Sequence, residues 1–400
     1  SALKSSNENR WYRIDGDKMH KATILDQPKE IGNIDKSDML GHCVRTPTYC
    51  RDAIQRAEQI EIPRKVKISE KASISYKKPN NILIAGMGGS AVGGEILHDW
   101  LRDELPIPIE VCKDYFLPAY ADEDTLVFVI SYSGETEETL NAFMDAIRRR
   151  CMITAVTSGG TLLSFCERLR LPCVTIPSGV PPRAAIPYLF FSLPITMEKT
   201  GVPLDVEKEI EETIQVLERV SKENAIEIPT ERNPAKKLAL ELLETVPTIY
   251  GFRQYESIAR RWKTQFNENS KVPSRYEVFP ELNHNEVVGW EAPEAVTKGS
   301  SVILIRDHAE PPEIGRRIEA TKRLALENAG KILEVYASGA GKLAKMFSVL
   351  HLGNFVSVYL AILQGVDPTP VKTINAIKKE MEKLSMVAKL RAEFQEMIYK

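Results

Sequence analysis

Apolar positions along this chain come in short blocks. Runs at 82–85, 107–112, 126–130, 153–156 and 174–176 are short and apolar, with enough sequence between them for a helical crossover. Continuous apolar runs predict strands buried on both faces, the pattern of a parallel sheet. Helices are predicted between them at 92–105, 135–150 and 161–169. The second opens on acidic residues and closes on Arg148, Arg149 and Arg150, the charge order that the helix dipole favours. The alternation predicts a doubly wound α/β domain over about residues 40–200.

A helical pattern at 39–59 precedes this block, and a polar, helix-prone stretch at 205–239 follows it. Strands are then predicted at 248–251, 302–305 and 332–336, alternating with helices at 256–267, 312–329 and 342–364, which makes a second α/β domain. Both halves step from an apolar strand through a glycine into a helix, at Ile84-Ala85-Gly86 and Ile249-Tyr250-Gly251, as a distant duplication would. The expected organisation is an N-terminal extension 1–38, a first domain 39–203, a helical linker 204–235 and a second domain 236–400 with a C-terminal helical segment. Residues 1 to about 35 are polar and aperiodic and read as an extended arm.

Composition narrows the function. A formal charge of −2 with 27% charged residues gives no basic excess that would advertise nucleic-acid binding. Neither nucleic acid nor membrane is an expected partner, since no continuous apolar stretch approaches the ~20 residues of a bilayer span. Cys43, Cys50, Cys112, Cys151, Cys166 and Cys173 form no CxxC pair and read as small buried residues of a reduced, cytoplasmic protein.

Chemistry concentrates in two turns. Gly86-Met87-Gly88-Gly89-Ser90 lies between a strand and a helix, where bare glycine backbone and a helix N-terminus receive an anion. Gly86, Gly88 and Ala91 also fit a dinucleotide fingerprint, with Glu110 as the ribose acid. The neighbouring strand runs into Ser131-Tyr132-Ser133-Gly134-Glu135-Thr136 and then another helix. Its three hydroxyls suit one tetrahedral anion better than a dinucleotide; the alternative is plain helix capping by Ser131, Ser133 or Thr136.

Together these turns resemble the sugar isomerase (SIS) domain, over most of residues 40–380. With Pro182-Arg183, Asn267-Glu268-Asn269, Glu281-Leu282-Asn283-His284 and a late Lys372, the chain resembles the archaeal-type bifunctional phosphoglucose/phosphomannose isomerases. The resemblance implies two doubly wound, flavodoxin-like SIS domains with a polar N-terminal extension and a helical C-terminal tail. It implies a homodimer without metal or cofactor that interconverts glucose 6-phosphate or mannose 6-phosphate with fructose 6-phosphate. Gly89, Ser90, Ser131, Ser133 and Thr136 match its phosphate pocket. Arg183, Glu268, His284 and Lys372 match its catalytic positions, with the histidine supplied by the neighbouring subunit.

The residue types suit that chemistry. A carboxylate such as Glu268 moves a proton between C2 and C1, an imidazole such as His284 serves ring opening, and a fixed guanidinium such as Arg183 stabilises enediolate charge. The histidines show no HxH or HxxxH spacing for zinc. On local sequence alone, Glu268 reads as a solvated carboxylate at a helix end, Arg183 reads equally as a surface arginine or as a guanidinium fixed by the prolines before it, and a solvated lysine is the alternative for Lys372. Tyr132 and Asn269 are further sugar-contact candidates, whereas Trp262 and Phe266 read as core. Two other functions compete. A non-catalytic phosphosugar sensor would attach a helix-turn-helix reader, which the short N-terminal region does not resemble. A hexosamine synthase would need a glutaminase domain with an N-terminal cysteine.

Overall fold

The computed structural model describes residues 23–399. A short antiparallel hairpin, β1 (Lys65–Lys67) and β2 (Ser73–Ser75), precedes the first sheet. That sheet contains β3 (Asn81–Gly86), β4 (Ile109–Cys112), β5 (Thr125–Ile130), β6 (Met152–Thr157) and β7 (Cys173–Thr175). They pair in the order β4-β3-β5-β6-β7, all parallel. Every residue of β5 and β6 is buried, as their unbroken apolar runs require.

The second sheet joins β8 (Val246–Phe252), β9 (Arg275–Phe279), β10 (Ser300–Arg306) and β11 (Lys331–Tyr336) in the order β11-β10-β8-β9, again all parallel. Each sheet begins at an inner strand, turns one way for its second strand and the other way for its third. This reversal opens a crevice at the carboxyl ends of β3 and β5 in the first sheet and of β8 and β10 in the second, the place where doubly wound folds bind ligands.

The domains are fastened by helix ends. Asp99 accepts the Ser257 N–H (2.8 Å) at the start of the helix Glu256–Gln265. Glu212, on the helix Glu207–Glu223, accepts the N–H groups of Ala340 (2.6 Å) and Gly341 (2.9 Å) at the start of Lys342–Leu363. In each case a carboxylate meets the positive end of a helix dipole. Lys342–Leu363 has the length and composition of a membrane span, yet 89% of its most apolar window is buried inside the protein. A helix apolar on all sides and enclosed in this way is a core helix.

Several elements differ from the expectation. The helix 39–59 is two helices, Met39–Val44 and Thr46–Glu58, divided at Arg45 just before Pro47. Asp35 accepts the N–H groups of Met39 and Leu40 (both 2.8 Å), so it caps the first of them. Residues 23–35 are not an extended arm: they contain the helix Pro28–Ile34 and bury Leu25 and Ile31, while residues 1–22 lie outside the described residues. The helix Ile186–Lys199 escaped prediction because it is apolar nearly all round and contains Pro194, so it shows no amphipathic period. Strand β9 also escaped, being short, half-exposed and rich in polar residues.

Candidate active site

At the carboxyl end of β3 the chain turns at Gly88, whose φ of +53° favours glycine, and enters the helix Gly89–Leu101. At the end of β5 it turns through Ser131–Thr136 into the helix Glu137–Arg148. The sheet order sets these turns side by side, and the Tyr132 N–H reaches Ser90 Oγ (3.4 Å). The Ser131 hydroxyl donates to Thr136 Oγ1 (2.9 Å) and accepts the Gly134 N–H (3.1 Å). Thr136 occupies the N-cap position without a side-chain cap bond, and the helix after Gly88 has none either. Ser131 and Thr136 are thus bonded to each other, and the Thr136 hydroxyl is not used to cap the helix. Ser133 is exposed, and its Oγ accepts the Glu135 N–H (3.2 Å).

The glycine turn also touches the arginine segment. A Cβ on Gly89 would stand 3.3 Å from the Pro182 carbonyl oxygen, so Gly89 lets the turn lie directly against Pro182-Arg183. Arg183 is buried and is not a surface arginine. Its Nε donates to Asn269 Oδ1 (2.6 Å), and its NH2 donates to the carbonyls of Pro368 (2.6 Å) and Thr369 (2.8 Å). The remaining nitrogen, NH1, lies 3.8 Å from Glu268 Oε2.

Glu268 stands on a π-helical turn, Phe266–Ser270, that continues the helix Glu256–Gln265. Such a turn widens the helix by one residue and redirects side chains. Trp262 and Phe266 anchor it in the core, and Asn269 Nδ2 donates to Ser357 Oγ (2.9 Å). The surroundings of Glu268 are cationic. Arg261 is fully buried and donates to the Arg183 carbonyl. Burial lowers its pKa to about 10, with Glu268 opposing and Arg183 adding to the fall. Burial likewise pulls Arg183 below its ordinary value, and Glu268 restores part of it. Lys271 donates to the carbonyls of Glu268 and Pro368 and is lowered by burial and by Arg183.

The described contacts bring neither His284 nor Lys372 onto the Arg183–Glu268 pair. His284 ends an exposed turn, Glu281–His284, just beyond β9. Lys372 is exposed and opens the helix Lys372–Met381, three residues after the Thr369 carbonyl that Arg183 holds. Tyr132 is tied elsewhere, donating to the Pro177 carbonyl (3.0 Å) and accepting the Val180 N–H (2.9 Å). Glu110 is bonded to the Tyr120 hydroxyl (2.6 Å). Sequence reasoning missed Lys271 and Arg261, because a lysine and an arginine in polar segments carry no local mark of burial beside a carboxylate.

Paired doubly wound domains, with a glycine turn and a hydroxyl turn at the switch point of the first, are the architecture of the SIS class. Residues 231–381 match the family described as the bacterial phospho-glucose isomerase C-terminal SIS domain. The bifunctional phosphoglucose/phosphomannose isomerase of Caldicellulosiruptor bescii is 41% identical over 327 residues, covering 81% of this chain and 96% of that one. The enzyme of the same name from Aquifex aeolicus is 37% identical, covering 76% and 90%. A hypothetical protein of Thermus thermophilus shares the fold with a TM-score of 0.71 at 15% identity, covering 92% and 95%. The chain belongs to the bifunctional phosphoglucose/phosphomannose isomerase family.

Proposed function

We propose that the Arg183–Glu268 pair beside the phosphate turns performs the reaction of this family. The chain is an aldose–ketose isomerase, interconverting glucose 6-phosphate or mannose 6-phosphate with fructose 6-phosphate. The phosphate sits on Gly89, Ser90, Ser131, Ser133 and Thr136 and places C1 and C2 toward Glu268. In the opened aldose, Glu268 takes the proton from C2. The electron pair left there forms the C1–C2 double bond, and the charge passes to O1 as a cis-enediolate. Arg183 NH1, with Lys271 behind it, stabilises that charge. Glu268 then returns the proton to C1 as the O2 proton moves to O1, leaving the ketose. His284 of a second subunit and Lys372 serve ring opening, in a metal-independent, cytoplasmic homodimer.

The observation that supports this reading is the 3.8 Å approach of Glu268 to the one Arg183 nitrogen with no backbone or amide partner. The test is a coupled assay for fructose 6-phosphate from each aldose, with EDTA present. Glu268→Gln keeps the shape of the site and removes the base, so kcat should fall by roughly 10²–10⁴-fold. Retained activity in that variant refutes the assignment of the base. Loss with EDTA refutes metal independence, and inactivity of the unsubstituted protein with both aldoses favours the sensor.

A further inference from the structure

The hydroxyl turn has a carboxylate in its middle. Glu135 lies between Gly134 and Thr136, and an unrestrained negative charge there would oppose a phosphate dianion. The structure directs it away. Glu135 Oε1 accepts the Thr161 N–H (2.7 Å), and both its oxygens lie 2.9 Å from Thr161 Oγ1, at the start of the helix Gly160–Leu169. The backbone beneath leaves little slack. A Cβ on Gly134 would lie 1.9 Å from the Gly159 oxygen, and one on Gly160 would lie 2.4 Å from the Ser133 oxygen. The phosphate turn and the Gly159–Thr161 loop are thus packed directly against each other.

A guanidinium from the far end of the chain closes this contact. Arg391 donates through Nε (2.8 Å) and NH2 (2.6 Å) to Thr161 Oγ1, and its NH2 lies 3.2 and 3.1 Å from the two Glu135 oxygens. It rides on the helix Met386–Tyr399, which starts beyond the last residue matched by the family, 381. The helix leading to it, Lys372–Met381, buries none of its residues. What seats Met386–Tyr399 on the first domain is the burial of Leu390 and Phe394, the latter stacked on Phe165 at 3.9 Å and 12°. One segment therefore leaves the carbonyls held by Arg183, passes Lys372 and returns to the back of the phosphate turn.

We propose that Arg391 is a positioning residue for the phosphate site: docked by Phe394, it neutralises Glu135 and fixes the Ser131–Thr136 turn for the phosphate of the substrate. The inference rests on the phosphate assignment of that turn. The Arg391 and Glu135 side chains are 57% and 41% exposed, so their pairing adds little to folding stability and Arg391→Ala should fold normally.

Steady-state kinetics with fructose 6-phosphate, and competitive inhibition by inorganic phosphate, test it in the full chain. Arg391→Ala should raise KM and the inhibition constant of phosphate together by roughly tenfold while kcat stays within about twofold. Adding Glu135→Gln to that variant removes the charge left uncompensated and should recover part of both losses, a rescue that a merely structural role would not produce. Phe394→Ala, which unseats the helix, should reproduce the KM effect. Ser131→Ala separates the two ways to fail. If it weakens phosphate and Arg391→Ala does not, the role of Arg391 is refuted; if Ser131→Ala itself changes neither constant, the phosphate assignment falls and this inference with it.

Discussion

Arg183 commits three N–H donors to Asn269, Pro368 and Thr369, and these bonds aim NH1 at Glu268. A lysine offers one point charge on a flexible stem and cannot hold two chain segments while facing the cleft. Arg183→Lys should therefore cut kcat/KM by about 10²-fold or more, mostly in kcat, because the lost group acts on charge that develops in the transition state. An equal fall confined to KM would count against this role. At this scale the sequence was legible in part. Motif order singled out Arg183 and Glu268, while their burial and pairing were not encoded locally. Asn269, a candidate sugar contact by sequence, accepts a hydrogen bond from Arg183.

The strand–glycine–helix step recurs in both domains with a similar geometry. A Cβ on Gly251 would stand 2.6 Å from the Tyr255 oxygen, and one on Gly86 would stand 3.2 Å from the Ser90 carbonyl carbon, so both glycines admit the same close return of the chain. The contents differ. Where the first switch point offers Ser90 and Ser131, the second sets the Tyr255 hydroxyl (2.7 Å) and Lys345 (3.0 Å) on the carboxylate of Asp307. Burial would raise the Asp307 pKa, but the Ala309 N–H, Tyr255 and Lys345 outweigh it and hold it below the usual value. At the second switch point these donors are thus engaged by a carboxylate of the chain itself. In the first domain, Gly134 has a φ of +70° and no room for a Cβ. Gly134→Ala should destabilise the protein by about 2 kcal/mol or more and weaken phosphate inhibition, read by thermal melting and by the inhibition constant. Glycine turns of this kind are visible in sequence; which switch point stays open depends on side chains that meet only after folding.

In the whole molecule, the linker helix Glu207–Glu223 and the core helix Lys342–Leu363 meet at Ser221 Oγ and His351 Nε2 (2.8 Å). Burial holds the His351 pKa down to about 3. Below pH 6.5 the unfolded chain binds a proton there that the folded chain refuses. The contribution is complete above pH 6.5 and is lost as pH falls toward 3. His351→Gln keeps a partner for Ser221 and should flatten the decline of Tm between about pH 6 and 4; an unchanged slope would rule His351 out as a source of acid sensitivity. The subunit assignment has its own test. If His284 acts across a dimer, mixing the inactive His284→Ala and Glu268→Gln chains restores about a quarter of normal activity, since half of the random dimers carry one intact site. No recovery after verified exchange of subunits would place His284 within its own chain's site or outside the chemistry. The sequence by itself determined two parallel α/β domains and the pair of glycine and hydroxyl turns, because strand burial and tight turns depend on neighbours along the chain. Only the tertiary structure decided that Arg183 faces Glu268 and that Arg391 lands on Glu135, because helix docking joins residues far apart in sequence.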